Sequence, residues 1–301
     1  MIDLKKIRLV DSVTIFALSV LNLLHFIFPD KVLHWQLFSF LNLIFIFLII
    51  YSSQKNNSFY KFFYLIWQWY PLISILYIFK QTYFMVHQIN PNDFDWLLIK
   101  IDKIIFGVDP TVWIGKFANP ILTEILQLAY VSYYFILFSV VAELFLRKKF
   151  SEFYDTGFLI CYGFYLSYIG YFLLPAVGPR FTLHDFNLLN SELPGIFFTE
   201  SIRNFIDAAE SIPTQITNAI DFVQRDVFPS GHVQLSLVAI YCAFKYKLSV
   251  RWIIIILGAL LIISTIYLRY HYAIDVIFGI IFFIFTIWSG KRLEEKIKFQ
   301  K

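Results

Sequence analysis

The chain has 301 residues, of which 59% are hydrophobic, 21% aromatic and only 15% charged. A soluble domain runs near 45–50% apolar and about 25% charged, so composition argues against a water-soluble globule. Apolar runs of about 20 residues recur and mark an all-α, multi-pass membrane protein. The net charge of +4 is therefore read by position, not as a nucleic-acid footprint.

In chain order, Lys5, Lys6 and Arg8 precede a long apolar run with no small-residue cleavage pattern. That predicts a retained first span rather than a signal peptide. Spans are predicted near 10–28, 34–53, 59–79, 120–145, 154–174, 231–247, 250–268 and 271–290. Eight spans put both termini on one side. The termini and the turns at 54–61, 146–153 and 245–251 carry 16 of the 25 lysines and arginines. The positive-inside rule places that side, with the basic tail at 291–301, in the cytoplasm. The loops at about 80–119 and 175–229 then face the periplasmic, extracellular or lumenal side. Cys161 and Cys242 fall inside spans and indicate neither a disulfide framework nor a metal site.

The first outer loop holds Asp93-Phe94-Asp95-Trp96-Leu97-Leu98-Ile99-Lys100-Ile101-Asp102. Apolar residues at helical spacing predict a helix lying in the interface, with a solvated covering helix as the plainer alternative. The fifth span ends in Leu174-Pro175-Ala176-Val177-Gly178-Pro179-Arg180. The prolines and glycine stop the helix and deliver Arg180 to the outer surface. A guanidinium there suits a phosphate, whose oxygens it can bind in pairs, or a lipid head group as a simple anchor. The rest of this second loop is long enough to cover a site.

The loop closes in Phe228-Pro229-Ser230-Gly231-His232. Ser230 is the natural N-cap of the next helix, and Gly231 permits close approach to the backbone. The free N–H groups of such a helix start attract phosphate, and His232 sits beside any bound anion. The bland alternative is a capped helix with a surface histidine. Further on, His271 and Asp275 are four apart and share a helix face. A carboxylate on one ring nitrogen fixes the tautomer and strengthens the other as a nucleophile; a structural cap is the alternative. Thr265 is expected one and a half to two turns deeper than His271 if that helix is continuous. His25, His34, His87 and His184 lack such company and read as interfacial or loop residues. Clamp, acid and nucleophile all fall on the outer face. Together they suit metal-independent phosphoryl transfer through a phosphohistidine, with no cofactor.

These three stretches resemble the type-2 phosphatidic acid phosphatase superfamily. The resemblance rests on Gly178-Pro179-Arg180, Phe228-Pro229-Ser230-Gly231-His232 and His271-x-x-x-Asp275, and covers roughly 93–289. It implies a six-helix core over 59–290, with two added helices in 1–58. It also implies His271 as nucleophile, Asp275 as its orienting partner and His232 as acid for the leaving group. Arg180, Ser230 and Gly231 would hold the phosphate. Leu173 stands where the family's first motif has lysine, and Thr265 where its third motif has arginine. Fewer cations favour a phosphodiester, nearer the inositol phosphorylceramide synthase-like branch, unless Arg225 or Arg269 supplies the missing charge. The expected activity is that of a lipid phosphatase or head-group transferase. The alternative from another class is a non-catalytic lipid transporter or binder on the same scaffold.

Overall fold

The computed structural model describes residues 3–54, 61–213 and 218–299. Among these residues the regular structure is helical throughout. The long helices are α1 (Leu9–Ile27), α2 (Trp35–Gln54) and α3 (Lys61–Ile89). Then come α4 (Asp95–Phe106), α5 (Pro110–Ile114), α6 (Pro120–Val131), α7 (Tyr133–Leu146) and α8 (Phe150–Leu173). The second outer segment contributes α9 (Pro179–Thr182), α10 (Leu189–Glu192) and α11 (Thr199–Ala209). The chain finishes with α12 (Gly231–Lys245), α13 (Arg251–Tyr267) and α14 (Ala273–Phe299).

Each predicted span has a helical counterpart, with α6 and α7 forming one segment bent by 44°. Among the described residues α1, α2, α8 and α14 are long and apolar enough to cross a membrane, and the bent pair makes up to five. Several apolar helices thus have the length and composition expected of a membrane protein. The expected boundary at 58/59 lies outside the described residues. The segment read as a basic tail continues α14 without a break to Phe299.

The middle of the bundle is α12, packed against α7, α8, α13 and α14. Small side chains let it sit there: Ala239, Cys242 and Ala243 are fully buried on it. Its one buried amide is fully paired, as a low-dielectric interior requires. Gln234 accepts from Ser167 Oγ at 2.5 Å and donates to Gly163 O at 2.9 Å and Thr286 Oγ1 at 3.0 Å. Polar contacts also fasten the first two helices. Asn42 on α2 bonds Asn22 on α1 and Gln81 on α3, both at 2.9 Å. Tyr70 on α3 donates to Asp11 on α1 at 2.6 Å. His25 corrects the expectation of an interfacial residue: it is fully buried, with Nδ1 3.1 Å from Ser39 Oγ.

The helix expected in the first outer loop is α4, and its sidedness is informative. Trp96, Ile104, Ile105 and Phe106 face outward, while Asp95, Leu98 and Asp102 are buried. The acids point at the protein and the apolar residues at the surroundings, as suits a helix at a lipid interface. The segment that carries α9, α10 and α11 is fastened to α6. Glu124 on α6 accepts the N–H groups of Ile196, Phe197 and Phe198 and the Thr199 hydroxyl, at 2.7–3.2 Å. Arg203 on α11 donates to Gln127 Oε1 at 3.3 Å and to Leu193 O at 2.8 Å.

Candidate functional site

Four of the six residues singled out by sequence line a single cavity of about 90 Å³: Arg180, Gly231, His232 and His271. Ser230 and Asp275 stand directly behind it. The cavity lies where the C-terminal end of α8 meets the N-terminal ends of α12 and α14.

Ser230 caps α12 as its sequence predicts, accepting from Val233 N at 3.4 Å. Its own N–H donates to Asp275 O at 3.1 Å, joining the starts of α12 and α14. Ser230 is fully buried and does not line the cavity, so its role is to hold the helix start. The cap takes Val233 N–H; the N–H groups of Gly231 and His232, in the same first turn, have no partner within the helix, an arrangement that can receive an anion. Gly231 is needed for closeness, since a Cβ there would lie 2.9 Å from Tyr171 Oη. The His232 ring is held between tyrosines, stacked on Tyr130 at 4.7 Å and tilted against Tyr133 at 4.5 Å.

His271 is placed differently from the expected continuous helix. α13 ends at Tyr267, and Arg269 takes a left-handed φ of 67°. The chain folds back so that His271 N–H donates to Thr265 O at 2.9 Å. Thr265 is therefore a backbone neighbour of His271, not a residue two turns deeper. α14 starts only at Ala273, yet Asp275 still reaches its partner: Oδ2 is 3.5 Å from His271 Nδ1. A closer acceptor for that nitrogen is Val227 O, at 2.9 Å. Asp275 Oδ2 itself accepts from Tyr272 N–H at 2.8 Å. With Nδ1 engaged, Nε2 is the nitrogen left to the cavity that His271 lines. The rings of His271 and His232 are 5.7 Å apart, centroid to centroid.

Arg180 is buried and enters from α9, where Gly178 adopts a φ of +99° that a side chain would strain. Its N–H donates to Arg269 O at 3.1 Å. Its guanidinium lies 4.8 Å from the Tyr270 ring centre, donates to Asp207 Oδ1 at 3.1 Å and pairs with Glu210. Arg225 and Arg269 do not replace the missing third-motif arginine. Arg225 pairs with Asp93 and Arg269 with Glu192, and neither lines the cavity. Two acids do line it, Glu210 and Asp226. Burial pushes Glu210 up to about 7, with Asp226 and Asp207 opposing its charge and Arg180 favouring it. Burial pushes Asp226 up to about 6.

Sequence reasoning missed the brace beneath these motifs. Asp95 accepts from Val177 N at 3.0 Å, Gly178 N at 2.9 Å and Tyr272 Oη at 2.7 Å. Asp102 accepts from the N–H groups of Ala273 and Ile274, both at 2.8 Å, and so caps α14 from outside its own chain segment. The available signal was spacing: residues 95, 98 and 102 fall on one face of a helix. Nothing local marks Glu210 or Asp226. His184 stays in the loop class, 3.1 Å from Thr111 Oγ1.

Three comparisons bear on this geometry. A family model described as the PAP2 superfamily matches residues 98–289, more than half of the chain. A PA-phosphatase related-family protein of Dictyostelium discoideum is 27% identical over 237 residues, which is 67% of this chain and 40% of that protein. The chain thus spans less than half the length of that relative. No solved structure matches it at a significant level.

Proposed function

The chain belongs to the PAP2 superfamily, and from that premise we propose that it is a membrane enzyme that cleaves or transfers a phosphate-bearing lipid head group. The observation that carries the proposal is the convergence of His271, His232 and Arg180 on one cavity at two helix starts. A binding protein has no need of a histidine whose Nδ1 is pinned while Nε2 is presented.

In the first step His271 Nε2 attacks phosphorus and the P–O bond to the leaving alcohol breaks. The departing oxygen takes a proton from His232. Arg180 and the N–H groups of Gly231 and His232 carry the charge that grows on the other phosphoryl oxygens. In the second step water or an acceptor hydroxyl gives its proton back to His232 and attacks the phosphohistidine. The P–N bond breaks and His271 is free again. Nδ1 keeps its proton throughout, held by Val227 O with Asp275 behind it. No residue in this scheme requires a metal.

The lipid character of the substrate is supported by the walls. Leu76 on α3 and Tyr134 on α7 line the cavity and are also 56% and 60% exposed on the outer surface of the bundle. A lipid head group can enter sideways between them. The single cavity arginine, with Thr265 in the place of the second, supports a phosphodiester over a monoester, the one point at which the chain resembles the inositol phosphorylceramide synthase-like branch. The apolar runs support eight crossings, and charge counting supports cytoplasmic termini and an outward-facing site. An impermeant thiol reagent applied from outside should label a cysteine placed at Glu200 and spare one at Glu152; the reverse pattern would overturn that orientation.

The mechanism is tested with purified protein and a panel of phosphate-labelled lipids. Wild type should hydrolyse or transfer at least one of them, and rapid quenching without acid should trap label on His271. His271→Ala should lose turnover by about a hundred-thousandfold or more while still binding lipid. Native-rate turnover by His271→Ala would refute the assignment. Lipid transport that is insensitive to the same change would favour the transporter reading.

A further inference from the structure

Asp226 is the one cavity acid that the proposed chemistry leaves without a task. It lines the chamber that holds Arg180, His232 and His271, immediately before the loop that carries the second motif. Among the described residues it makes no hydrogen bond or ion pair with another side chain; its partner is its own backbone N–H. It lies within electrostatic reach of Tyr134 and Tyr171, both cavity-lining, and of Glu210.

A carboxylate beside a phosphate seat is costly unless the ligand brings something for it. Among the described residues that line the chamber, the only permanent cation is Arg180, already shared between Asp207 and Glu210. A phosphomonoester, nearly a dianion at neutral pH, would meet Glu210 and Asp226 beside a single guanidinium, and like charges at this range repel. A phosphodiester carries one negative charge. If its head group also carries one positive charge, both ends find a complement: phosphate at Arg180 and the helix start, cation at the carboxylate. The aromatic walls favour a cation over a polyol. A polyol needs many hydrogen-bonding partners, and the tyrosine hydroxyls are partly committed. Tyr168 Oη donates to Ile75 O at 3.0 Å, and Tyr133 Oη faces Gly231 O at 3.5 Å. Ring faces remain, and these attract an ammonium group.

We propose that Asp226, with the rings of Tyr134 and Tyr171, forms a seat for a cationic head-group nitrogen, so that the substrate is a zwitterionic phosphodiester lipid. This rests on the phosphoryl-transfer reading of the seat at Arg180 and His271, and it adds the class of head group. Glu210 is a poorer probe than Asp226, because changing it also frees Arg180.

The test is binding in detergent to full-length His271→Ala protein, which removes turnover from the measurement. The probes are short-chain phosphatidylcholine, phosphatidylglycerol, phosphatidylinositol and phosphatidate, titrated by calorimetry. The choline lipid should bind about tenfold tighter than the glycerol lipid, the scale expected of a desolvated cation–π and carboxylate site. Adding Asp226→Asn should bring the two within about threefold, and Asp226→Glu should restore most of the preference. The carboxylate's hydrogen bond is to its own backbone N–H, which an amide oxygen can also accept, so Asp226→Asn should stay folded, and Asp226→Glu controls for this. Equal binding of the choline and glycerol lipids, tighter binding of phosphatidate or the inositol lipid, or a preference untouched by Asp226→Asn would overturn the proposal. Selective binding with no turnover of any lipid by wild type would instead sink the catalytic reading and leave the cation seat standing.

Discussion

The two walls of the cavity are built on different principles. On the histidine side the contacts are to backbone. His271 Nδ1 meets Val227 O, Asp275 takes the Tyr272 N–H, and Asp102 takes those of Ala273 and Ile274. On the arginine side they are to side chains: Arg180 to Asp207 and Glu210, with Asp226 nearby. Backbone partners are fixed by the fold and hold one geometry. Carboxylates on a guanidinium can be exchanged for another anion of similar shape. The difference teaches that one wall holds a single geometry and the other can trade partners, which under the proposed function are the needs of a nucleophile and of a phosphate seat. Asp95 joins them, reaching Val177 and Gly178 on one side and Tyr272 on the other.

The sharpest way to break this comparison is Asp275→Asn. In a hydrolytic triad the orienting aspartate is the chief acceptor of the histidine proton, and its amide variant loses about ten-thousand-fold. Here Val227 O is the nearer acceptor, so the tautomer survives the substitution. What is lost is the carboxylate behind an imidazole that gains positive character during attack. The expected fall in kcat is about a hundredfold to a thousandfold, with KM little changed, as steady-state kinetics would read. A loss as large as that of His271→Ala would show that Asp275, not the carbonyl, sets the tautomer. A loss below about tenfold would show that the carbonyl suffices.

How far the sequence reaches follows the same divide. The start of α12 was legible because capping is local chemistry: Ser230 binds Val233 N three residues on. The pairing of His271 with Asp275 was legible from spacing, although the helix begins two residues after the histidine. What spacing could not show is the left-handed turn at Arg269, which folds His271 back onto Thr265. That turn uses a non-glycine residue, so no composition signal announces it. The helix α4 was legible as amphipathic, but not that its acids point inward to cap other segments. Glu210 and Asp226 were simply two of seven acids in a long loop. Only tertiary closure, through Glu124 and Arg203 fastening the cover to α6, brings them to Arg180.

A smaller effect sharpens the claim that the arginine side exchanges partners. Burial pushes Glu210 up to about 7, because the cost of burying its charge outweighs the help from Arg180. Above that pH the carboxylate is charged and competes with substrate phosphate for the guanidinium. Below it the acid is neutral, and Arg180 keeps only Asp207. Phosphate binding should therefore tighten as pH falls through about 7. The clean measurement uses His271→Ala protein and a glycerol-headed phosphodiester lipid. That lipid stays a monoanion across the range and brings no cation for Asp226. Its Kd should fall about threefold to tenfold between the alkaline and acid limits. The scale is part of the roughly 1.5–3 kcal/mol of a hydrogen bond to a charged group, since Asp207 remains. Glu210→Gln should lose the change near 7 and keep only a smaller one at lower pH, where Asp226, pushed up to about 6, takes its proton. A Kd that does not change with pH in the parent, or one that changes equally in Glu210→Gln, would mean that Glu210 is a fixed strut and that phosphate does not take its place on Arg180.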